Sequence, residues 1–136
     1  MLDLDHLFDA HVTLAAPVEF GDTPAGRRRI IPITGGTFEG PKLKGNVLPG
    51  GGDWVTVRAD GSVKLDVRIT LQTDDGANVL MTYSGIGVRG EGGLSLRTAP
   101  LFETGSEKYA WLNNIQAIAH GTPGQGNVTY IVYALK

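Results

Sequence analysis

Apolar and polar residues alternate with a period of two along much of the chain, most regularly over Val63–Leu71. Val63, Leu65, Val67, Ile69 and Leu71 fall on one face, and Lys64, Asp66, Arg68 and Thr70 on the other. Nine residues in this pattern predict a strand with one apolar and one polar side. Asp60-Gly61 separates it from a shorter run, Asp53–Arg58, and Thr73–Gly76 separates it from Ala77–Tyr83. Asp-Gly pairs between alternating runs mark tight hairpins.

Glycines 85, 87, 90, 92 and 93 then interrupt the chain before a strand at Leu94–Thr98. Lys108–Ala119 reads as another long strand, with Tyr109, Trp111, Asn113 and Ile115 on one face, and Gly121–Gly126 turns it into a last strand, Asn127–Tyr133. Upstream, Leu7–Leu14 and Arg28–Ile33 are predicted strands, and Thr37–Leu48 holds one or two short ones. The total is about eight or nine strands without an amphipathic helix. Successive hairpins make an antiparallel meander whose free edges must be closed or covered. An all-β single antiparallel barrel is therefore predicted, with a two-sheet β-sandwich as the alternative, because Greek-key connections are not legible in sequence.

The length of 136 residues fits one domain over 1–136, and 41% apolar with 19% charged residues is an ordinary globular balance. Twenty glycines and seven prolines cluster between the β-branched runs, where reversals are needed. A net charge of -2 argues against a nucleic-acid partner. The one basic run, Arg27-Arg28-Arg29, alternates between faces on an extended chain and makes a poor continuous patch. The absence of cysteine excludes disulfides, thiolate metal sites and a cysteine nucleophile. No stretch approaches the roughly 18 apolar residues of a membrane span, and no secretory signal is visible, so no membrane partner and a cytoplasmic location are expected.

Asp66 and Arg68 are neighbours on the polar side of the longest predicted strand. On an ordinary sheet that side faces water, where such a pair contributes little. In a small barrel whose apolar side packs outward, the pair would instead face a lumen and suit anion binding or proton transfer. Asp53 and Trp54 follow Pro49–Gly52 and enter a strand from a glycine-rich rim, either as site residues or as a turn beside a core indole. That loop precedes a strand and lacks the lysine of a phosphate loop. Tyr109, Trp111 and Asn113 offer two aromatic walls and an amide, and Glu103 is an acid or base on a loop rim or a solvated turn residue. The histidines His6, His11 and His120 show no metal-ligand spacing, and no Gly-x-Ser-x-Gly pattern is present. No metal is expected.

The order of motifs resembles a known family. Pro32–Pro41, Leu48–Trp54, Asp60-Gly61, Leu65–Arg68, Thr73–Gly76, Arg97–Pro100, Phe102–Gly105 and Tyr109–Asn113 together are similar to the domain of unknown function 3237. The resemblance spans nearly the whole chain and implies a small, often self-associated β-barrel with no generally assigned activity. It raises Asp53, Trp54, Asp66, Arg68, Glu103 and Asn113 as candidates for a shared cavity. The family usually carries an aromatic residue where this chain has Ile69, and often one where it has Leu96.

The function expected from these residues is acid–base chemistry without a cofactor on a small, partly apolar molecule, of isomerase, cyclase, hydratase or lyase type. Asp66 or Asp53 would be the base and Arg68 the oxyanion or carboxylate holder. Trp54, Tyr83 and Trp111 would form the walls, with Arg97, Glu103 and Asn113 completing the binding set. A non-catalytic barrel that binds a hydrophobic small molecule is the alternative, and the protein is expected to be a homo-oligomer.

Overall fold

A computed structural model describes all residues, Met1–Lys136. Ten strands form one sheet: β1 (Leu4–Leu14), β2 (Val18–Thr23), β3 (Gly26–Glu39), β4 (Lys44–Val57), β5 (Val63–Thr73), β6 (Asn78–Gly90), β7 (Gly93–Thr98), β8 (Leu101–Glu103), β9 (Ala117–Pro123) and β10 (Asn127–Leu135). Eight of them run in the order β1-β10-β9-β7-β6-β5-β4-β3, and β3 pairs back onto β1. The sheet is thus a closed antiparallel barrel, as predicted. Strand β2 extends β3 beyond the closure, and β8 pairs with β6. No helix is long and apolar enough to cross a membrane.

Period-two alternation explains the interior. On β5 the residues at 63, 65, 67, 69 and 71 are buried, while Lys64, Asp66 and Arg68 are exposed. Packing the apolar side inward removes five branched side chains from water, each worth about 1.5–3 kcal/mol. The reverse arrangement would place three ions, Lys64, Asp66 and Arg68, in an apolar interior at a penalty of several kcal/mol each. Burial of the apolar face wins.

Two features differ from the prediction. Strands β3 and β4 are longer than expected, because Gly35-Gly36 and Pro49–Gly52 lie inside strands as bulges. Gly50, with φ +107°, adopts a backbone that other residues rarely take, and the register of β4 on β5 shifts there. The predicted long strand Lys108–Ala119 is instead a 3-10 helix at Ala110–Asn114 followed by β9. Tyr109 and Leu112 are buried and Ile115 half-buried, a spacing of three that matches this helix rather than a strand.

That segment plugs one end of the barrel. Phe102, Tyr109 and Leu112 join the core with Phe8, Phe38 and Leu71, and the Phe8 ring meets Phe38 and Phe102 edge-on at 5.5 and 6.1 Å. The Tyr109 hydroxyl and Lys108 ammonium donate to the Asp75 carboxylate on the β5–β6 turn, at 3.0 and 2.5 Å. The Lys108 ammonium, a Thr73 hydroxyl that also donates at 2.6 Å, and the Tyr109 hydroxyl hold the Asp75 carboxyl well below the usual carboxylate range. The other end stays open.

Candidate functional site

At the open end the barrel encloses a cavity of about 250 Å³, lined by 20 residues of which 14 are hydrophobic. This approaches the lower end of the usual range for small-molecule sites, about 300–1,000 Å³. Inward positions of β3, β4, β5, β6 and β10 supply the walls. Asp53, Tyr83 and Tyr130 are buried in it, whereas the exposed Arg27 and Arg89 and the half-buried Arg29 lie towards the strand ends at its mouth.

Local structure places the acid. Asp53 follows the β4 bulge, so the strand resumes with 53, 55 and 57 pointing inward. It sits level with Ile31 on β3 and Val67 on β5, and Val67 is level with Tyr83 on β6. The carboxylate is 9% exposed and accepts a hydrogen bond from the Asp66 backbone N–H at 3.2 Å. No cation pairs with it. Burial therefore dominates, and with the Asp66 carboxylate nearby it raises the Asp53 pKa to about 7, against the opposing effect of the Asp66 N–H.

The two tyrosines complete the base of the cavity. Their rings meet edge-on with centroids 5.3 Å apart. A Cβ on Gly121, the β9 residue opposite Tyr130, would overlap the Tyr130 ring, so only glycine leaves the ring its position. Burial pushes both phenol pKa values upward, and each phenol also feels Asp53. Both phenols thus stay protonated near neutral pH, and a protonated phenol can donate a hydrogen bond. A carboxyl poised near neutrality beside two neutral donors can move a proton and stabilise a developing oxyanion.

The other sequence candidates are scattered. Asp66 and Arg68 are exposed on the outer face, in a shallow groove with Leu80 and Leu101, and form no ion pair with each other. The expectation of an enclosed pair there is corrected by the inward burial of the apolar side of β5. Trp54 is 38% exposed, since alternation cannot turn both 53 and 54 inward. Arg97 is exposed on β7, opposite His120, and Glu103 is exposed on β8. Trp111 is half-buried at the plugged end, under the Lys42 ammonium at 5.4 Å. Asn113 accepts from the Thr104 N–H at 2.8 Å and donates to the Thr104 carbonyl at 3.0 Å, which makes it a loop brace. Of the nine candidates, Asp53 and Tyr83 line the cavity.

Sequence reasoning missed Tyr130 and the three arginines. Tyr130 sits between Val128 and Val132 on the buried face of β10, and a phenol on an otherwise aliphatic stripe was the available signal. The alternation noted for Arg27-Arg28-Arg29 turns the first and third inward. No three His, Asp or Glu side chains converge as metal ligands: His6 pairs with Asp9 and His120 with Ser95, each at 2.8 Å.

Fold and cavity define a class: a small closed antiparallel barrel with a buried, protonatable acid at the base of an apolar pocket. The chain belongs to the family described as protein of unknown function (DUF3237), whose model matches residues 2–135. Among its relatives is a protein of Penicillium herquei named hydroalkoxylation enzyme phnH, 36% identical over 132 residues, covering 96% of this chain and 81% of that one. The crystal structure of a β-barrel-like protein from Acinetobacter baumannii is similar over 100% of this chain and 97% of that one, at 36% identity and a TM-score of 0.95. The crystal structure of an enzyme from Penicillium herquei matches 99% of this chain and 95% of that one, at 33% identity and a TM-score of 0.79.

Proposed function

We propose that the chain is an enzyme of the cyclase, hydratase, isomerase or lyase type, acting on a partly apolar small molecule by proton transfer from and to Asp53. The observation that carries this reading is the Asp53 carboxyl, buried at the base of an apolar cavity with its pKa near 7, where a general base is most effective. The relative named a hydroalkoxylation enzyme supports it. Hydroalkoxylation adds an alcohol O–H across a C=C bond. The ionised Asp53 would take the hydroxyl proton as the oxygen attacks an activated alkene, and Tyr83 and Tyr130 would donate to the enolate oxygen that forms. Protonation of carbon by Asp53 would close the cycle. Atoms balance through one proton, with no change of oxidation state overall.

The test is turnover of a panel of allylphenols, hydroxy-enones and simple enones, read by mass spectrometry and NMR for cyclised, hydrated or isomerised product. Turnover by the wild type that falls at least about a hundredfold in Asp53→Asn supports the assignment, in line with the usual contribution of a general base. Turnover that survives the substitution refutes it.

A further inference from the structure

Three guanidinium groups stand at the mouth of a cavity whose walls are otherwise almost wholly apolar. Arg27 and Arg29 come from inward positions of β3, level with Val57 and Val55 on β4, and Arg89 from β6, level with Leu94 near the β6–β7 turn. One carboxylate answers them. Glu19 on β2 lies 3.1 Å from the Arg29 Nε and 3.8 Å from the Arg27 Nε. Even so, the buried Arg29 Nε lacks an aligned hydrogen-bond partner, and Arg89 forms no ion pair. None of the three pairs with Asp53, whose burial is left uncompensated. The charged residues that line the cavity are thus these three arginines and Asp53, although the chain carries -2 overall.

Arg27 and Arg89 are exposed and Arg29 is half-buried, so all three guanidiniums are open to a ligand, and each presents five donors in a fork that fits a carboxylate. The spacing sets the shape of that anion. Strands advance about 3.4 Å per residue, so the level of Arg29 lies about 7 Å above that of Asp53, and the level of Arg27 about 14 Å above it. We infer that the cavity selects an amphipathic monoanion. Its carboxylate or acidic phenolate is held by Arg29, Arg27 and Arg89, and its apolar body reaches down to the base of the barrel. This rests on the acid–base reading of the same cavity, and it names the class of substrate.

Binding of matched pairs tests the inference without turnover. Phenylacetate, hydrocinnamate, phenylbutanoate and naphthylacetate are titrated calorimetrically beside the corresponding primary alcohols. The wild type should bind at least one carboxylate about tenfold or more tightly than its alcohol, since a charge-assisted pair contributes at least that factor. In the Arg27→Gln, Arg29→Gln, Arg89→Gln triple variant the preference should vanish while the alcohol binds as before. Arg29→Gln alone, which keeps the other two guanidiniums, should lose part of the preference and serves if the triple variant does not fold. Equal binding of acid and alcohol, failure of all four carboxylates to bind at millimolar concentration, or a preference that persists without the arginines would each overturn the inference. Asp53→Asn separates the two readings. A charge preference retained there alongside unchanged turnover leaves the anion site standing and removes only the catalytic assignment.

Discussion

Replacing Asp53 by Asn should stabilise the folded protein, and by an amount that grows with pH. The group's pKa is raised from 3.8 to about 7 on folding, chiefly by burial, so the fold prefers the neutral form. Below the unfolded value both states hold the proton and no penalty exists. As pH rises through the interval from about 4 to about 7, the unfolded chain ionises freely while the folded one resists, and stability is lost. A shift of about 3 pH units corresponds to about 4 kcal/mol at the upper plateau, each unit being 1.36 kcal/mol. For a chain of this length that is on the order of 10–15 °C in Tm. The Asn amide oxygen still accepts the Asp66 N–H, so the substitution removes the charge and little else. Urea denaturation of wild type and Asp53→Asn from about pH 4 to about pH 9 measures the difference. The two should coincide at the acid end, diverge through neutrality and run parallel above about pH 8. A constant difference, or a wild type more stable than the variant at alkaline pH, would refute the burial argument and with it the basis for a poised acid.

Two other variants probe the cavity wall and the outer face of β5. Gly121→Ala places a methyl group into the Tyr130 ring and should destabilise the barrel by about 1–3 kcal/mol, read by urea unfolding, while displacing the phenol from the cavity. Asp66→Asn with Arg68→Ala should leave turnover within about twofold of wild type, because both side chains face solvent, where such pairs contribute little. Loss of the Asp66 carboxylate should nevertheless lower the apparent pKa of the pH–rate profile, since that charge helps to raise the pKa of Asp53.

What the sequence determined by itself is the class of fold and two candidate carboxyls, Asp53 and Asp66, on neighbouring strands. Period-two patterning and Asp-Gly turns depend on neighbours in the chain, so the hairpins from Asp53 to Tyr83 were legible, and closure followed from the cost of free edges. Several boundaries were not. Pro49–Gly52 and Gly85-Gly87 look like interruptions in a one-dimensional reading, yet across a sheet they are bulges and close approaches that keep strands continuous. The apparent stripe Tyr109, Trp111, Asn113 fits a strand as well as it fits chance, and only docking of Tyr109 and Leu112 into the barrel end selects the 3-10 helix.

The site was decided by tertiary structure for a physical reason. Which side of a strand faces inward depends on the total apolar area that closure removes from water, and this turned Asp66 and Arg68 outward while the β4 bulge turned Asp53 in. The pKa of Asp53 depends on its burial among side chains from β3, β5, β6 and β10, which are distant in sequence. Sequence names the titratable groups, but their surroundings, and hence their chemistry, exist only once the barrel has closed.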